Sequence, residues 1–190
     1  TDLPGFQVEQ QNSITDYSLS PGWNLINLNL LGIESGRTLR ASNLINLWNN
    51  QGAAITQVVK YETGQFVSYT NRGKDDIFGP DFNLLTGQGY FVLNARNKPI
   101  SVTFRGLKPK QFVPINLTNG WNLVGFTQPS KPYTAQSLIN TTTAQGGNID
   151  TVSRFENGSY SSYIYGEDGT FFGNDFNINE RRGYFLKVNS

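Results

Sequence analysis

The feature that most restricts how this chain can fold is that it is written twice. Gly22, Trp23, Asn24, Leu25 and Ile26 return as Gly120, Trp121, Asn122, Leu123 and Val124, 98 residues further on. From Leu44, Ile45 and Asn46, matched by Leu138, Ile139 and Asn140, the spacing is 94 and stays there. Gly52 pairs with Gly146, Glu62 with Glu156, Gly64 with Gly158 and Tyr69 with Tyr163, and the run Phe78, Gly79, Asp81, Phe82, Asn83 pairs with Phe172, Gly173, Asp175, Phe176, Asn177. Gly89, Tyr90 and Phe91 close the match with Gly183, Tyr184 and Phe185. The change of spacing places a four-residue deletion in the loop around residues 31–37. Self-similarity at a fixed offset marks one supersecondary unit duplicated in tandem.

Each copy reads as the same succession of elements. A strand opens at Gly-Trp-Asn-Leu, with apolar residues on both faces (Trp23, Leu25, Ile26, Leu28), as in a strand packed on two sides. A short helix follows, because Ala41, Leu44, Ile45 and Trp48 lie at i, i+3, i+4 and i+7 and Gly52 is placed to stop it. Residues 55–62 and 65–70 form a hairpin about Thr63 and Gly64, and its twin turns at Asn157 and Gly158, a pair suited to a type I′ turn. A strand at Tyr90, or Tyr184, ends the shared unit. The expected fold is mostly β, sandwich-like or barrel-like, built from two tandem homologous repeats with one short helix each. The expected divisions are an N-terminal strand at residues 1–16, a first repeat at 17–107 and a second at 108–190.

The copies differ at their ends. The first continues through Pro99 into Ile100, Val102 and Phe104, which alternate as a strand does, whereas the second has no such segment before Ser190. At the 98-residue offset, Phe6 and its neighbours Gly5, Gln7 and Val8 fall opposite Phe104 and its neighbours. Phe6 and Val8 are therefore the candidate self-association residues. They complete the second copy either within the chain or in a neighbouring molecule, the latter giving a filament.

The chemistry that the chain lacks is as informative. With neither His nor Cys, nucleophile–base pairs, disulfides and thiolate metal sites are excluded, so neither a cofactor nor a metal is expected. Fifteen basic residues against fourteen acidic ones leave no surplus to neutralise phosphates, which excludes nucleic acid as the partner. No apolar run reaches the roughly 20 residues of a membrane span, so insertion is not expected. Export implies a leader already removed, since no charged-then-apolar segment opens the chain. The Asn-x-Ser/Thr sequons at Asn116, Asn140 and Asn157 are chance in a chain this rich in Asn and Thr.

Only carboxylates remain for catalysis. Asp81 and Asp175 occupy equivalent Phe-Gly-x-Asp-Phe-Asn stretches, where such side chains hold local backbone, so the reading is structural rather than glycosidic. Asp75 and Asp76 with Asp81, or Glu167 and Asp168 with Asp175, lack the spacing of a Ca²⁺ loop. Among the aromatics, repetition places Trp23 and Trp121 in the core. Aromatics without an aromatic twin are freer to bind: Trp48 aligns with Thr142 and Tyr165 with Asn71. Trp48, Tyr69, Tyr163 and Tyr165 are thus the candidate ligand-binding residues, with a glycan as the ligand of the alternative reading.

The order Gly-Trp-Asn-Leu-(Ile/Val), short helix, aromatic hairpin and closing Gly-Tyr-Phe resembles the tandem repeats of bacterial secreted and cell-surface proteins that carry the same two motifs. The hairpin Trp usual in those repeats is here Phe66 and Tyr160. The resemblance implies a secreted or surface location and an adhesive or accessory role, with no reaction and no catalytic residues. The expected function is a non-catalytic extracellular structural or adhesion module that associates through its N-terminal strand. The alternative is a carbohydrate-binding module.

Overall fold

Period-two alternation carries apolar side chains to both faces of the central strands, and both faces are covered. The computed structural model describes residues 12–30, 38–109, 113–127 and 132–189. The first repeat contains β1 (Asn12–Leu19), β2 (Gly22–Asn27), α1 (Ala41–Asn49), β3 (Ile55–Glu62), β4 (Gln65–Asn71), β5 (Ile77–Phe78), β6 (Gly89–Asn94) and β7 (Ile100–Leu107). The second contains β8 (Gly120–Gly125), α2 (Ala135–Ala144), β9 (Ile149–Glu156), β10 (Ser159–Tyr165), β11 (Phe171–Phe172) and β12 (Gly183–Val188). The chain is mostly β, with one short helix per repeat, as its sequence pattern requires.

The repeats build the same five-stranded antiparallel sheet, ordered β2-β6-β3-β4-β5 in one and β8-β12-β9-β10-β11 in the other. Register is duplicated as well as order: Leu25 lies opposite Phe91, and Leu123 opposite Phe185. Even the irregularity recurs, as the β3–β6 ladder slips between Ile55 and Gln57 and the β9–β12 ladder between Lys187 and Val188. Both hairpins turn through two residues of positive φ, Thr63 (49°) and Gly64 (82°), then Asn157 (50°) and Gly158 (79°). That is the type I′ geometry, whose twist matches that of the flanking strands.

One face of each sheet receives its own helix. Ile26, Val58, Tyr90 and Val92 pack with Leu44, Ile45 and Trp48 of α1, and Val124, Val152, Tyr184 and Leu186 pack with Ile139 of α2. The alternate residues of the same strands, Leu25, Val59 and Phe91 with Leu123 and Phe185, form a third core where the two sheets meet face to face. The arrangement is a β-sandwich flanked by helices, with the two repeats supplying its two sheets.

The sheets are fastened at their edges by reciprocal contacts. The Asn27 amide donates to the Arg181 carbonyl, and at the equivalent place the Gly125 amide donates to the Gly87 carbonyl, both at 3.0 Å. The approach is close enough that a Cβ on Gly89 would meet Leu123 at 2.9 Å, and one on Gly183 would meet Leu25 at 2.9 Å, so a side chain at either position would displace that leucine.

One ribbon has no counterpart among the described residues. β7 is the strand expected from Ile100, Val102 and Phe104, and it pairs antiparallel with β1 from Asn12↔Leu107 to Leu19↔Ile100. β1 therefore runs across the expected boundary at residue 16, and residues 12–16 pair with β7 of the first repeat just as 17–19 do. Tyr17, Leu19, Val102 and Phe104 from this ribbon bury themselves against α1. Phe6, Val8 and the loop at 31–37 lie outside the described residues. No helix among the described residues is long and apolar enough to cross a membrane.

Candidate functional site: an aromatic trough between the sheets

The repeated Gly-Trp-Asn-Leu motif assigns each of its residues a different task. Gly22 and Gly120 take φ of 81° and 87°, which turns the chain into the strand. Asn24 then clamps that turn: its side chain accepts from the Ser20 amide at 2.8 Å and donates to the Ser20 and Gly22 carbonyls. Asn122 repeats the clamp on Thr118 and Gly120. Leu25 and Leu123 enter the core between the sheets, and the Trp, two residues earlier on the same face, reaches the place where that core ends.

Trp23 and Trp121 are consequently not core residues, contrary to expectation: they are 37% and 42% exposed. Each stands edge-on to a nearly buried Phe, Trp23 to Phe91 and Trp121 to Phe185, with centroids 6.2 Å apart in both pairs. Further rings arrive from the hairpins, where Tyr61 lies opposite Phe66 and Phe155 opposite Tyr160. The hairpin rings cross to the other repeat, Tyr61 meeting Phe185 at 5.5 Å and Phe155 meeting Phe91 at 5.3 Å. Phe91 and Phe185 themselves lie 6.2 Å apart, so the rings of both repeats form one continuous network. Edge-to-face contacts dominate it, and Trp23, Trp121, Phe66 and Tyr160 remain partly exposed to solvent.

Two apolar hollows lie in this trough. One, of about 270 Å³, is bounded by Trp23, Val59, Phe66, Phe91, Phe155 and Tyr160. The other, of about 370 Å³, is bounded by Trp121, Phe185, Tyr61, Phe66 and Tyr160 with Ser153 and Ser162. Ser153 stands where the first repeat has Val59, and its hydroxyl is spent on Ser162 at 2.7 Å. Burial raises the Tyr160 phenol above its ordinary pKa.

A polar cleft adjoins each Trp. Beside Trp23, about 340 Å³ is lined by Asp16, Asn24, Glu156, Asn157, Asn179, Arg181 and Arg182. Arg182 pairs with Glu156, and the Arg181 guanidinium donates to the Asp16 carbonyl at 3.0 Å. The cleft beside Trp121, about 400 Å³, is built from the equivalent positions, where Pro114 replaces Asp16, Gly87 replaces Arg181 and Gln88 replaces Arg182. The two ends thus share a shape and differ in charge.

The residues singled out as ligand candidates lie elsewhere, and most are inaccessible. Trp48 is fully buried beneath the β1–β7 ribbon, its ring 5.4 Å from Tyr17, and Tyr69 and Tyr163 are buried between sheet and helix. None of these three offers a ring face to a ligand. Tyr165 is exposed and leans on Phe171 at 4.8 Å, away from the trough. What sequence reasoning missed was the repeated aromatic pair facing across each hairpin, Tyr61 with Phe66 and Phe155 with Tyr160. Repetition suits a symmetric surface as well as a core.

The carboxylates considered for catalysis are engaged in structure. Asp81 accepts from the Ser42 amide at 3.0 Å and its hydroxyl at 2.7 Å, and Asp175 accepts from the Gln136 and Phe176 amides at 2.9 Å. Each therefore satisfies free N–H groups at the start of a helix, where negative charge is favoured. Among the described residues no three acidic side chains gather as a metal site would need. The chain matches no protein-family model, no curated protein and no solved structure.

Proposed function

We propose that this chain is a non-catalytic extracellular adhesion module that holds a glycan along the trough from Trp23 to Trp121. The observation that carries this reading is the pairing, at both ends, of a partly exposed indole with a polar cleft. Sugars present C–H faces that stack on aromatic rings and hydroxyls that need planar hydrogen-bonding groups beside them. Asn157, Asn179, Glu156 and Arg182 supply such groups next to Trp23. The resemblance of the repeat to those of secreted and surface proteins agrees with this role, as does the absence of any nucleophile–base pair.

The test is a glycan array followed by affinity measurements on the polysaccharides that bind. Trp23→Ala and Trp121→Ala are each expected to weaken binding about tenfold or more, the loss corresponding to about 1.4 kcal/mol. Trp23→Ala should lose more, because its cleft offers more charged and amide side chains. Tyr165→Ala serves as the unaffected control. Binding indifferent to both Trp substitutions, or no glycan bound at all, rejects the proposal.

A further inference from the structure

The rings of the trough treat its two ends alike, and the clefts do not. Contacts between the repeats are reciprocal, Tyr61 on Phe185 and Phe155 on Phe91, so the rings are related by an approximate twofold axis and offer a ligand the same apolar surface at either end. What differs is the turn that leads into the last strand of each sheet. It reads Leu85-Thr86-Gly87-Gln88 before β6 and Asn179-Glu180-Arg181-Arg182 before β12. The cleft beside Trp121 is therefore lined by an uncharged turn, and the cleft beside Trp23 by two guanidinium groups.

The charged turn is braced so that both groups are held in place. The Arg181 amide donates to the Asn179 side-chain oxygen at 2.9 Å, its carbonyl accepts from the Asn27 amide at 3.0 Å, and its guanidinium donates to the Asp16 carbonyl at 3.0 Å. The Arg182 amide donates to the Asn179 carbonyl at 3.1 Å. Its guanidinium pairs with one oxygen of Glu156, and Arg154 pairs with the other, so one carboxylate serves two cations. Glu62, the equivalent of Glu156 at the other end, is paired with Lys60 alone among the described residues.

These bonds leave most of the donors unspent. A guanidinium carries five N–H groups in a planar fork. Arg181 gives one of its nitrogens to a backbone carbonyl and, among the described residues, pairs with no carboxylate. The Asp16 carboxylate at the rim is itself engaged by the Thr103 hydroxyl at 2.9 Å, and Glu180 does not line the cleft.

We infer that the Trp23 end of the trough takes a carboxylated sugar, a uronic acid residue, and that Arg181 and Arg182 select it over a neutral one. A carboxylate presents two oxygens in one plane, which the fork of a guanidinium matches with two parallel bonds. Asp16 and Glu156 offset the two arginines in charge, so the selection comes from directed N–H groups beside the indole and not from a positive field. A neutral sugar offers the same donors only hydroxyls, and hydrogen bonds between neutral and charged groups that lack a counter-charge gain less. The inference rests on the glycan reading of the trough and adds to it the class of sugar.

The test measures binding of polygalacturonate, alginate and hyaluronan, and of each polymer after its carboxyl groups have been reduced to alcohols. At least one carboxylated polymer is expected to bind about tenfold or more tighter than its reduced form. Arg181→Gln and Arg182→Gln, both at exposed positions, should each cut that ratio about threefold or more. The ratio is its own control, since partial misfolding lowers both affinities alike. Binding that Trp23→Ala weakens but that is equal for carboxylated and reduced polymers overturns the inference and leaves the glycan reading in place. So does a ratio that neither arginine substitution changes, and so does binding confined to neutral glycans. Binding that neither Trp23→Ala nor Trp121→Ala weakens rejects the glycan reading itself, and the inference falls with it.

Discussion

The two repeats share a sheet, down to its bulge and its I′ turn, but they do not share a helix. α1 buries Ala41, Leu44, Ile45 and Trp48, whereas α2 fully buries only Ala135 and Ile139. The difference follows the β1–β7 ribbon. Where the ribbon lies, the helix has apolar matter on two sides and carries a Trp at position 48, and in the second repeat, where the described residues form no such ribbon, the same position is Thr142. Thus the sheet is specified by its own strand pairing, and the helix sequence records what covers it from outside.

The largest expected asymmetry lies at that position. Trp48→Ala removes a fully buried ring and is expected to cost about 3–5 kcal/mol of stability, read from denaturant midpoints. Thr142→Ala, at a half-buried position whose hydroxyl donates to the Leu138 carbonyl, should cost about 1 kcal/mol or less. Equal costs would mean that the repeats are covered alike in solution.

Leu44→Ala and Leu138→Ala sharpen the same comparison. The first should cost about 2–5 kcal/mol, as a fully buried Leu does. The second, at a half-buried position, should cost about 1 kcal/mol.

Much of this was legible in the sequence, for a definite reason. The repeat offset, the i, i+3, i+4, i+7 spacing of the α1 core residues and the alternation of β7 are local patterns, and each emerged as read. Trp48 was legible as a residue without a twin, though not as one buried beneath the β1–β7 ribbon. The exposure of Trp23 was not legible. Burial of a residue at a strand's start depends on how far the opposing sheet extends, and the distance from Trp23 to the end of the Phe91–Phe185 core is a property of the packed pair. The sequence separates Trp23 and Leu25 by two residues and so places them on one face. It does not say where the cover over that face stops.

Alkaline pH should divide the repeats next. Burial lifts the Tyr17 phenol well above its ordinary value, and its hydroxyl donates to the Asn27 carbonyl at 2.8 Å. Tyr90 is lifted likewise, and Tyr184, its twin, is also raised. A phenol whose pKa is higher in the folded state leaves stability intact below the unfolded value, near 10, and stability falls as pH rises beyond it. Each such tyrosine contributes a slope of about 1.4 kcal/mol per pH unit in that window. Tyr17 has Ile115 as its counterpart, so this buried phenol is one that the second repeat lacks. Denaturation followed between pH 9 and 11 should steepen less in Tyr17→Phe than in the parent. An unchanged slope would show that the ribbon does not hold Tyr17 dry.

The smallest expected effect tests whether the repeats are alike where they look alike. Asp81 and Asp175 each supply acceptors to the first turn of a helix, so Asp81→Ala and Asp175→Ala should each cost about 1 kcal/mol. Asp81 should cost slightly more, because it also accepts from the Ser42 hydroxyl, a bond without an equivalent at Gln136. Matched losses mark the two carboxylates as helix caps retained because both repeats need them. Suppose instead that Asp175→Asn left stability untouched and abolished hydrolysis of a bound polysaccharide. The carboxylate would then be working on substrate, and the reading of this chain as non-catalytic would fall with it.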